Sequence, residues 1–334
     1  MINFGSYYNM EKENKISTTL PCLAIIVPCY NEKEVLEATD SALQNLLINM
    51  EERGIVNSES FIIYVDDGSK DDTWELICNA VQKHPRSTKG IKLAHNAGHQ
   101  NALLAGISSV ADICDAAVTI DADLQDDIEA IPKMAEKFRE GYEIVYGVRD
   151  SRETDTWFKK NSALFFYKTM KALGVETVYN HADFRLMSSR ALKELMKYKE
   201  TNIFLRGVVP QIGLNNTTVS YNRKARLAGE SKYPLKKMIN FAVEGITSFS
   251  MKPVRMVFMI GMIFLLITLA IFIYTLIRYF ANETIEGWTS LMLSIWFCTG
   301  VLLVSLGVIG EYVGKIFLEV KERPRFNIEE KEGF

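Results

Sequence analysis

Oxygen-bearing side chains recur at alternate positions just after one apolar, β-branched run: Asp121, Asp123 and Gln125. Such a run predicts the end of a buried strand. Carboxylate and amide oxygens are the hard ligands that Mg²⁺ and Mn²⁺ prefer, and these ions bridge phosphates. The spacing therefore predicts a metal site, although an acidic pair in a loop also fits an ordinary solvated turn.

Two further motifs close apolar runs. Pro-Cys-Tyr-Asn-Glu occupies positions 28–32, and Asp-Asp-Gly-Ser occupies positions 66–69. Glycine permits a tight turn, and Asp or Ser can cap the next helix, so turn-and-cap chemistry explains each motif when it is taken singly. Neither a G-x-G-x-x-G fingerprint nor a Walker A loop occurs, which argues against a dinucleotide enzyme and a P-loop ATPase.

The elements that must position these motifs alternate along the chain. Strands are predicted at 23–27, 61–65, 91–93, 116–120 and 143–147, and helices at 34–50, 71–82, 100–110 and 128–140. This alternation predicts an α/β fold with a mostly parallel sheet covered on both faces. Ligands of such sheets bind beyond the carboxyl ends of the strands, which is where both acidic motifs are expected to lie.

The C-terminal third has a different character. Residues 256–277 and 288–309 carry no charge, and each segment of 22 residues can cross a hydrocarbon core of about 30 Å. Basic residues flank the two segments, whereas Arg278 is the only basic residue of the loop 278–287 between them. The positive-inside rule then places both flanks in the cytoplasm and the loop outside. Residues 233–249 have helical apolar spacing, which predicts a helix in the membrane surface or one packed on the soluble domain.

The composition and net charge of the chain argue against some classes of function. The net charge of −3 gives no indication of nucleic-acid binding. Five cysteines without a C-x-x-C pair indicate small core residues in a reducing compartment. His95 and His99 have a metal-like spacing but no glutamate to complete a zinc motif. Residues 1–20 are charged and show no signal peptide, so we expect the soluble part to be cytoplasmic.

Taken together, the motifs resemble the nucleotide-sugar-dependent glycosyltransferases of family 2, which have the GT-A fold. The resemblance rests on P-C-Y-N-E, V-D-D-G-S-x-D-x-T, N-A-G-H-Q-N-A-L-x-A-G (96–106) and D-A-D-L-Q-D. More narrowly, the chain is similar to polyprenyl-phosphate glycosyltransferases of the dolichol-phosphate mannose synthase and bactoprenol glucosyltransferase type. That likeness rests on A-D-F-R-L-M (182–187), F-L-R-G (204–207), A-G-E-S-K-Y (228–233) and the two spans followed by G-E-Y-V-G-K (310–315).

The resemblance implies a division of the chain into five parts. They are an N-terminal extension (1–20), a GT-A catalytic domain (21–225), a basic juxtamembrane segment with an interfacial helix (226–252), two transmembrane helices (253–313) and a cytoplasmic tail (314–334).

The resemblance also implies roles for individual residues. The nucleotide-sugar would contact Pro28, Tyr30, Glu32, Asp66, Asp67, Asn96 and Asp121. Mg²⁺ or Mn²⁺ would be held by Asp121, Asp123 and Gln125. Catalysis would involve Asp123, Arg149, Arg152 and Asp183, and the acceptor phosphate would meet Arg223, Arg226, Ser231 and Lys232.

Several of these roles have alternatives. Arg149 and Arg152 suit either the acceptor phosphate or the leaving diphosphate, because a guanidinium group donates two parallel hydrogen bonds. The basic cluster at 223–232 suits a lipid phosphate or merely anionic headgroups. Asp183 would orient the acceptor, stabilise positive charge at the anomeric carbon, or simply pair with Arg185.

The resulting prediction is a multi-pass enzyme of the cytoplasmic membrane, with its catalytic domain and both termini in the cytoplasm. It would transfer a sugar, with inversion, to undecaprenyl phosphate from a nucleotide-sugar, for which UDP is the favoured nucleotide and GDP the alternative. Its other expected partners are the bilayer and copies of itself in a tetramer. One rival is a processive polysaccharide synthase, although no Q-x-x-R-W motif occurs at Gln211. The other rival is a non-catalytic membrane scaffold that retains the fold.

Overall fold

One mixed sheet organises the described part of the chain. The computed structural model describes residues 20–149, 181–200, 203–222 and 287–334, with scattered positions between 254 and 277. The strands are β1 (Leu23–Cys29), β2 (Phe61–Asp66), β3 (Thr88–Leu93), β4 (Ala116–Thr119), β5 (Ile144–Arg149), β6 (His181–Ser188), β7 (Asn216–Tyr221) and β8 (Ile328–Glu332). Their order across the sheet is β7-β5-β6-β4-β1-β2-β3-β8.

Six described helices cover both faces of this sheet. They are α1 (Leu36–Glu52), α2 (Thr73–Lys83), α3 (His99–Val110), α4 (Ala130–Arg139), α5 (Ser189–Met196) and α6 (Leu205–Gln211). A further helix, α7 (Trp288–Val320), contributes none of its described side chains to either buried cluster. Residues of α1, α2 and α4 pack in one buried cluster, and those of α3, α5 and α6 pack in the other. The central strand β1 is buried along its whole length, as its apolar sequence predicts. At Gly106 of α3, a Cβ atom would lie 2.5 Å from a methyl carbon of Ile26, so only glycine allows this close approach.

Strand pairing confirms the predicted α/β fold with a mostly parallel sheet. β1 pairs in parallel with both β2 and β4, and β2 pairs in parallel with β3. The exceptions are β6, which is antiparallel to β4 and β5, and β8, which is antiparallel to β3. All five predicted strands exist, and the two acidic motifs lie at the carboxyl ends of β2 and β4 as expected.

The C-terminal helix α7 is 33 residues long and contains the predicted second span. Among the described residues, its section Phe297–Val320 is the one stretch long and apolar enough to cross a membrane. The helix continues beyond the predicted end at Ile309 and ends at Val320, with Lys321 as its C-cap. Glu322 then adopts a φ of 47°, and Pro324 follows. Each described position between 254 and 277 is helical. The predicted pair of spans remains a prediction, and the predicted helix at 233–249 lies outside the described residues.

Candidate active site

Two loops at the carboxyl edge of the sheet hold each other in place. The backbone N–H of Asn31 donates to Ser69 Oγ (2.9 Å), and the N–H of Lys70 donates to Asn31 Oδ1 (2.8 Å). The N–H of Glu32 donates to Thr73 Oγ1 at 3.0 Å. The P-C-Y-N-E loop after β1 and the D-D-G-S loop after β2 therefore form one rigid wall, because each satisfies backbone donors of the other.

Within this wall, Asp66 holds a buried acceptor that is not satisfied. Its side chain is buried, and Oδ1 accepts the N–H of Ser69 at 3.2 Å, whereas Oδ2 has no hydrogen-bond partner within the described residues. Burial raises the pKa of this carboxyl. Tyr30 lies on the neighbouring loop with 41% of its surface exposed, and Pro28 is buried inside β1. A buried, unsatisfied oxygen is costly, so Asp66 is suited to receive an N–H of a ligand.

Asp67 holds the loop after β3 in place through hydrogen bonds. Its two carboxylate oxygens accept the backbone N–H groups of Ala97 (2.7 Å) and Gly98 (3.0 Å). The two loops meet closely: at Gly68, whose φ is +66°, a Cβ atom would lie 2.7 Å from the N atom of Asn96. Asp67 thus fixes the segment that carries Asn96 into the start of α3, and Asn96 itself is exposed.

The acidic loop after β4 is held in a strained conformation. Thr39 Oγ1, on α1, donates to the carbonyl of Ala122 at 2.7 Å. Asp123 Oδ1 accepts the N–H of Gln125 at 3.2 Å, and the intervening Leu124 has a φ of 50°. A left-handed leucine costs about 1–2 kcal/mol. Such strain is typical of functional loops whose surroundings impose the geometry, and here it orients the predicted metal ligands.

Other carboxylates lie close to Asp121. Desolvation raises the pKa of Asp121 to about 6, against the opposing effect of His99 and with the help of the carboxylates of Asp183, Asp126 and Asp123. The Asp121 side chain remains 46% exposed, so solvent relieves part of this repulsion. A cation bound here would relieve the rest.

The donor set of this loop fits Mg²⁺ or Mn²⁺. Asp121 and Asp123 supply hard carboxylate oxygens, and the buried Gln125 supplies an amide oxygen. Within the described ranges, no three His, Cys, Asp or Glu side chains gather as a complete protein ligand set. Mg²⁺ is usually held in proteins by one or two carboxylates together with substrate phosphates.

Asp183, at the end of β6 nearest the acidic loop, is clamped by two arginines. Its Oδ1 lies 2.7 Å from Arg185 Nη2, and Arg206 reaches both oxygens through Nε (3.3 Å) and Nη2 (2.9 Å). Burial alone would raise the pKa of this carboxyl, but the guanidinium groups of Arg206 and Arg185 hold it well below its usual range. Of the roles left open for Asp183, pairing with Arg185 is therefore observed, and Asp183 stays ionised.

His99 joins the two carboxylate centres. Its Nε2 atom lies 3.6 Å from Asp121 Oδ1 and 4.0 Å from Asp183 Oδ2. His99 begins α3, directly after Gly98, which has a φ of +92°. The sequence pattern predicts no role for His99 because the zinc motif is incomplete. Its partners come from two strands distant in sequence, so no local spacing could have identified it.

Arg149 belongs to a second network beside the acidic loop. Tyr221 Oη donates to Asp126 Oδ1 at 2.7 Å, Arg149 Nε donates to Tyr221 Oη at 3.2 Å, and Arg149 Nη2 lies 3.4 Å from Asp126 Oδ1. Arg149, expected to bind phosphate, is thus anchored by the residue that ends the D-A-D-L-Q-D motif. The other predicted phosphate-binding residues lie outside the described residues: Arg152, Arg223, Arg226, Ser231 and Lys232.

Comparisons with known proteins agree with this arrangement. The model of glycosyl transferase family 2 matches residues 24–196, and the model of the GtrB C-terminal hairpin matches residues 252–316. An uncharacterized glycosyltransferase, YkoT of Bacillus subtilis, is 49% identical over 92% of this chain and 91% of its own length. The bactoprenol glucosyl transferase of Shigella phage SfX is 35% identical over 92% of this chain and 99% of its own.

A solved structure shows a more distant likeness. Glucosyl-3-phosphoglycerate synthase from Mycobacterium tuberculosis, in complex with Mn²⁺, UDP and glucosyl-3-phosphoglycerate, has a TM-score of 0.43 and 16% identity, covering 68% of this chain and 78% of its own. That likeness is too distant to carry an argument about function. The family model covers more than half of the 334 residues, and the relatives align over nearly all of them. The chain therefore belongs to glycosyltransferase family 2.

Proposed function

We propose that this protein transfers a sugar from a nucleotide-sugar to a polyprenyl phosphate such as undecaprenyl phosphate, at the cytoplasmic face of the membrane. The donor would be UDP-linked, and the anomeric configuration would be inverted. The observation that carries the proposal is the junction of the acidic loop with Asp183 through His99, since it joins a diphosphate-type metal loop to a second charged centre. The relative named as a bactoprenol glucosyl transferase supports the acceptor class.

The nucleoside would lie on the wall formed by the first two loops. The unsatisfied Oδ2 of Asp66 would accept a ring N–H, such as that of uracil, and Tyr30 offers an exposed aromatic side chain. Asp67 acts indirectly, by fixing the loop of Asn96. The backbone N–H of Glu32 donates to Thr73 and holds the shape of the wall, and the Glu32 side chain stays a predicted contact of the nucleotide-sugar.

The sugar diphosphate would lie over the acidic loop. When bound there, Mg²⁺ or Mn²⁺ offsets the charge of the leaving nucleotide diphosphate. Asp121, Asp123 and Gln125 would hold the ion, and the left-handed Leu124 keeps Asp123 and Gln125 in their orientation. Arg149, anchored by Asp126 and Tyr221, lies close enough to this loop to contribute a further positive charge.

The attacking group would be a phosphate oxygen of the lipid. A phosphate monoester is already anionic near neutral pH and needs no general base. This agrees with Asp183, whose pKa is held well below its usual range and whose oxygens are occupied by Arg185 and Arg206. Holding the acceptor in line with the anomeric carbon is then the main task of the protein.

Two transmembrane helices would keep the site near the lipid headgroups, which raises the effective concentration of the acceptor. α7 supplies one apolar helix of sufficient length, and the hairpin model covers both predicted spans.

Mass spectrometry of lipid products tests the proposal. Purified protein in detergent is incubated with undecaprenyl phosphate, Mg²⁺ and a panel of nucleotide-sugars.

We expect one donor to yield a sugar-linked lipid together with released nucleotide. Donor hydrolysis without a lipid product would contradict the acceptor and leave the donor site standing. Polymer without lipid product would instead favour the processive synthase, and silence with all donors would favour the non-catalytic scaffold.

A further inference from the structure

His99 lies between two carboxylates at distances that are too long for direct hydrogen bonds. Its Nε2 atom is 3.6 Å from Asp121 Oδ1 and 4.0 Å from Asp183 Oδ2. A hydrogen bond from N–H to oxygen spans about 2.7–3.2 Å, and a polar contact beyond about 3.5 Å is commonly bridged by a small group such as water. The two facing carboxylate oxygens favour the form of His99 that carries a proton on Nε2. A hydroxyl group can therefore accept from this N–H while it donates to a carboxylate.

The Asp121 carboxylate has capacity to accept from such a hydroxyl. In the part of the chain that the structure describes, it accepts no hydrogen bond, and its single ion contact is with His99. The Asp121 side chain is 46% exposed and that of His99 is 44% exposed, so a ligand can reach both from solvent. A cation on one oxygen of the carboxylate leaves the other oxygen for a hydroxyl, and this role is therefore compatible with the proposed metal site.

The backbone that carries His99 is held on both sides. Before His99, the Asp67 carboxylate accepts the N–H groups of the two preceding residues at 2.7 and 3.0 Å. After it, the side chain of Gln100 accepts the N–H of Leu205 at 2.8 Å, which ties the start of α3 to the start of α6. An imidazole on such a backbone is preorganised, because little freedom remains to be lost when a ligand binds.

We propose that His99 is a specificity-determining residue that donates a hydrogen bond from Nε2 to a hydroxyl group of the donor sugar. This inference rests on the proposed function, in which the acidic loop holds the sugar diphosphate. A single oxygen atom joins that diphosphate to the anomeric carbon, so the sugar must lie next to the loop that carries Asp121. Each sugar hydroxyl both donates and accepts, which matches an N–H donor placed beside a carboxylate acceptor.

A contact of this kind discriminates between donors. A site built to hydrogen-bond a hydroxyl rejects the analogue that lacks it, because the polar groups of the site are then left unpaired. His99 would accordingly favour sugars whose hydroxyl meets its Nε2 atom over the corresponding deoxy sugars and epimers.

Kinetics with donor analogues test the inference on full-length protein in detergent. His99→Ala should lower kcat/KM for the active nucleotide-sugar about tenfold, because one hydrogen bond is lost. One monodeoxy analogue of that donor should react equally well with the wild type and with His99→Ala, since the hydroxyl that His99 contacts is already missing. His99→Gln keeps an N–H donor at the end of its side chain and should recover part of the loss.

The matched control is His84→Ala. His84 is the C-cap of α2 and precedes β3, whereas His99 follows the carboxyl end of the same strand. The two histidines therefore belong to opposite ends of β3. We expect His84→Ala to leave kcat/KM unaltered with every donor. In His99→Ala, the affinity for Mn²⁺ in the presence of UDP should equal that of the wild type.

Histidine footprinting of the wild-type protein adds a test that needs no variant to fold. With Mg²⁺ present, one nucleotide-sugar of the panel should protect His99 from diethyl pyrocarbonate more than UDP does. Labelling of His84, read by mass spectrometry in the same sample, should not change.

The possible failures are distinguishable. An equal loss of kcat/KM with the parent donor and every deoxy analogue, or equal protection of His99 by UDP and by all nucleotide-sugars, would overturn the assignment. Weaker Mn²⁺ affinity in His99→Ala would also overturn it, because His99 would then act on the metal site. Absence of lipid product with the wild type would overturn the proposed function, whereas protection of His99 by a nucleotide-sugar beyond that by UDP would still support the sugar contact.

Discussion

At the scale of single residues, the site depends on charges whose neighbours determine what they can do. Asp183 cannot act as a proton acceptor near neutral pH because two guanidinium groups stabilise its ionised form. Asp121 is destabilised as an anion by desolvation and by nearby carboxylates. The pKa values of the two carboxyl groups are shifted in opposite directions, and His99 lies between the two groups. Such a pair suits a site that binds a cation at one end and an anion at the other.

The metal assignment makes a direct prediction for Asp123. Asp123→Asn removes a carboxylate ligand and a negative charge, so kcat/KM should fall about 100-fold. The affinity for Mn²⁺ in the presence of UDP, followed by electron paramagnetic resonance, should fall as well. Asp112→Asn, at an aspartate 85% exposed and paired with Lys193, is the matched control and should behave as the wild type. Normal activity with the same metal dependence in Asp123→Asn would refute the assignment.

At the scale of elements, the loops at the carboxyl edge are positioned by contacts between strands that are distant in sequence. β6 carries Asp183, β7 ends at Tyr221, and β5 ends at Arg149. Since β5 pairs with both β6 and β7, these residues reach the acidic loop together. Burial and the adjacent Asp126 raise the pKa of Tyr221, so its hydroxyl remains a donor.

Tyr221→Phe tests whether this network positions Arg149. The change leaves the buried Asp126 carboxylate without its 2.7 Å hydrogen bond, which should lower the free energy of unfolding by about 1–3 kcal/mol. Arg149 also loses its hydrogen bond to Tyr221, so kcat should fall severalfold, whereas the Kd for Mn²⁺ should change little. Thermal unfolding and steady-state kinetics measure the two effects. Tyr142→Phe, at a partly buried tyrosine outside the network, is the control; equal behaviour of the two variants would contradict this role.

The C-terminal strand offers a separate test. Gly333 follows β8 with a φ of +77°, and a Cβ atom there would lie 2.8 Å from the Thr88 carbonyl oxygen. Gly333→Ala should therefore loosen β8 and speed amide hydrogen exchange at 328–332. Gly54→Ala is matched in backbone conformation, with a φ of +64° and no atom within 4 Å of the new Cβ, and it should leave the tail unaltered. Unchanged exchange in Gly333→Ala would show that the tail does not depend on this contact.

The sequence predicted the parallel core because periodicity and apolar runs are local signals. It did not predict β6 as a strand, because Arg185 lies in its middle, and a buried arginine makes sense only once Asp183 and Arg206 are seen around it. β8 is largely charged and forms a strand because the edge of β3 is available to pair with it. The same limit applies to the site. The motifs at strand ends can be recognised in the sequence, whereas His99, Arg206 and Tyr221 are brought to the site by contacts between residues distant in sequence.

At the scale of the whole molecule, the chain leaves α7 and returns to the sheet. Arg325 Nη2 donates to the carbonyl of Tyr198, Ala94 N–H donates to the carbonyl of Asn327, and β8 then pairs with β3. The apolar helix is thus tied to the catalytic domain by its own C-terminal segment, which also covers the otherwise open edge of the sheet.

The predicted two-span topology can be tested by cysteine labelling in intact cells. Asn282→Cys lies in the loop predicted to be external, and Glu330→Cys lies in the tail predicted to be cytoplasmic. A membrane-impermeant maleimide should label the first variant in intact cells and the second only after permeabilisation. The native cysteines, assayed in the wild type, set the background. Labelling of both variants from the same side would refute the hairpin topology.

The most direct test of the central claim compares two lipids that differ only in the phosphate. Purified protein, Mg²⁺ and the active nucleotide-sugar are incubated with undecaprenyl phosphate or with undecaprenol, and the glycosylated lipid is quantified. We expect a product with undecaprenyl phosphate alone, with one nucleotide released for each sugar transferred. Equal transfer to both lipids, or nucleotide release that neither lipid stimulates, would contradict it.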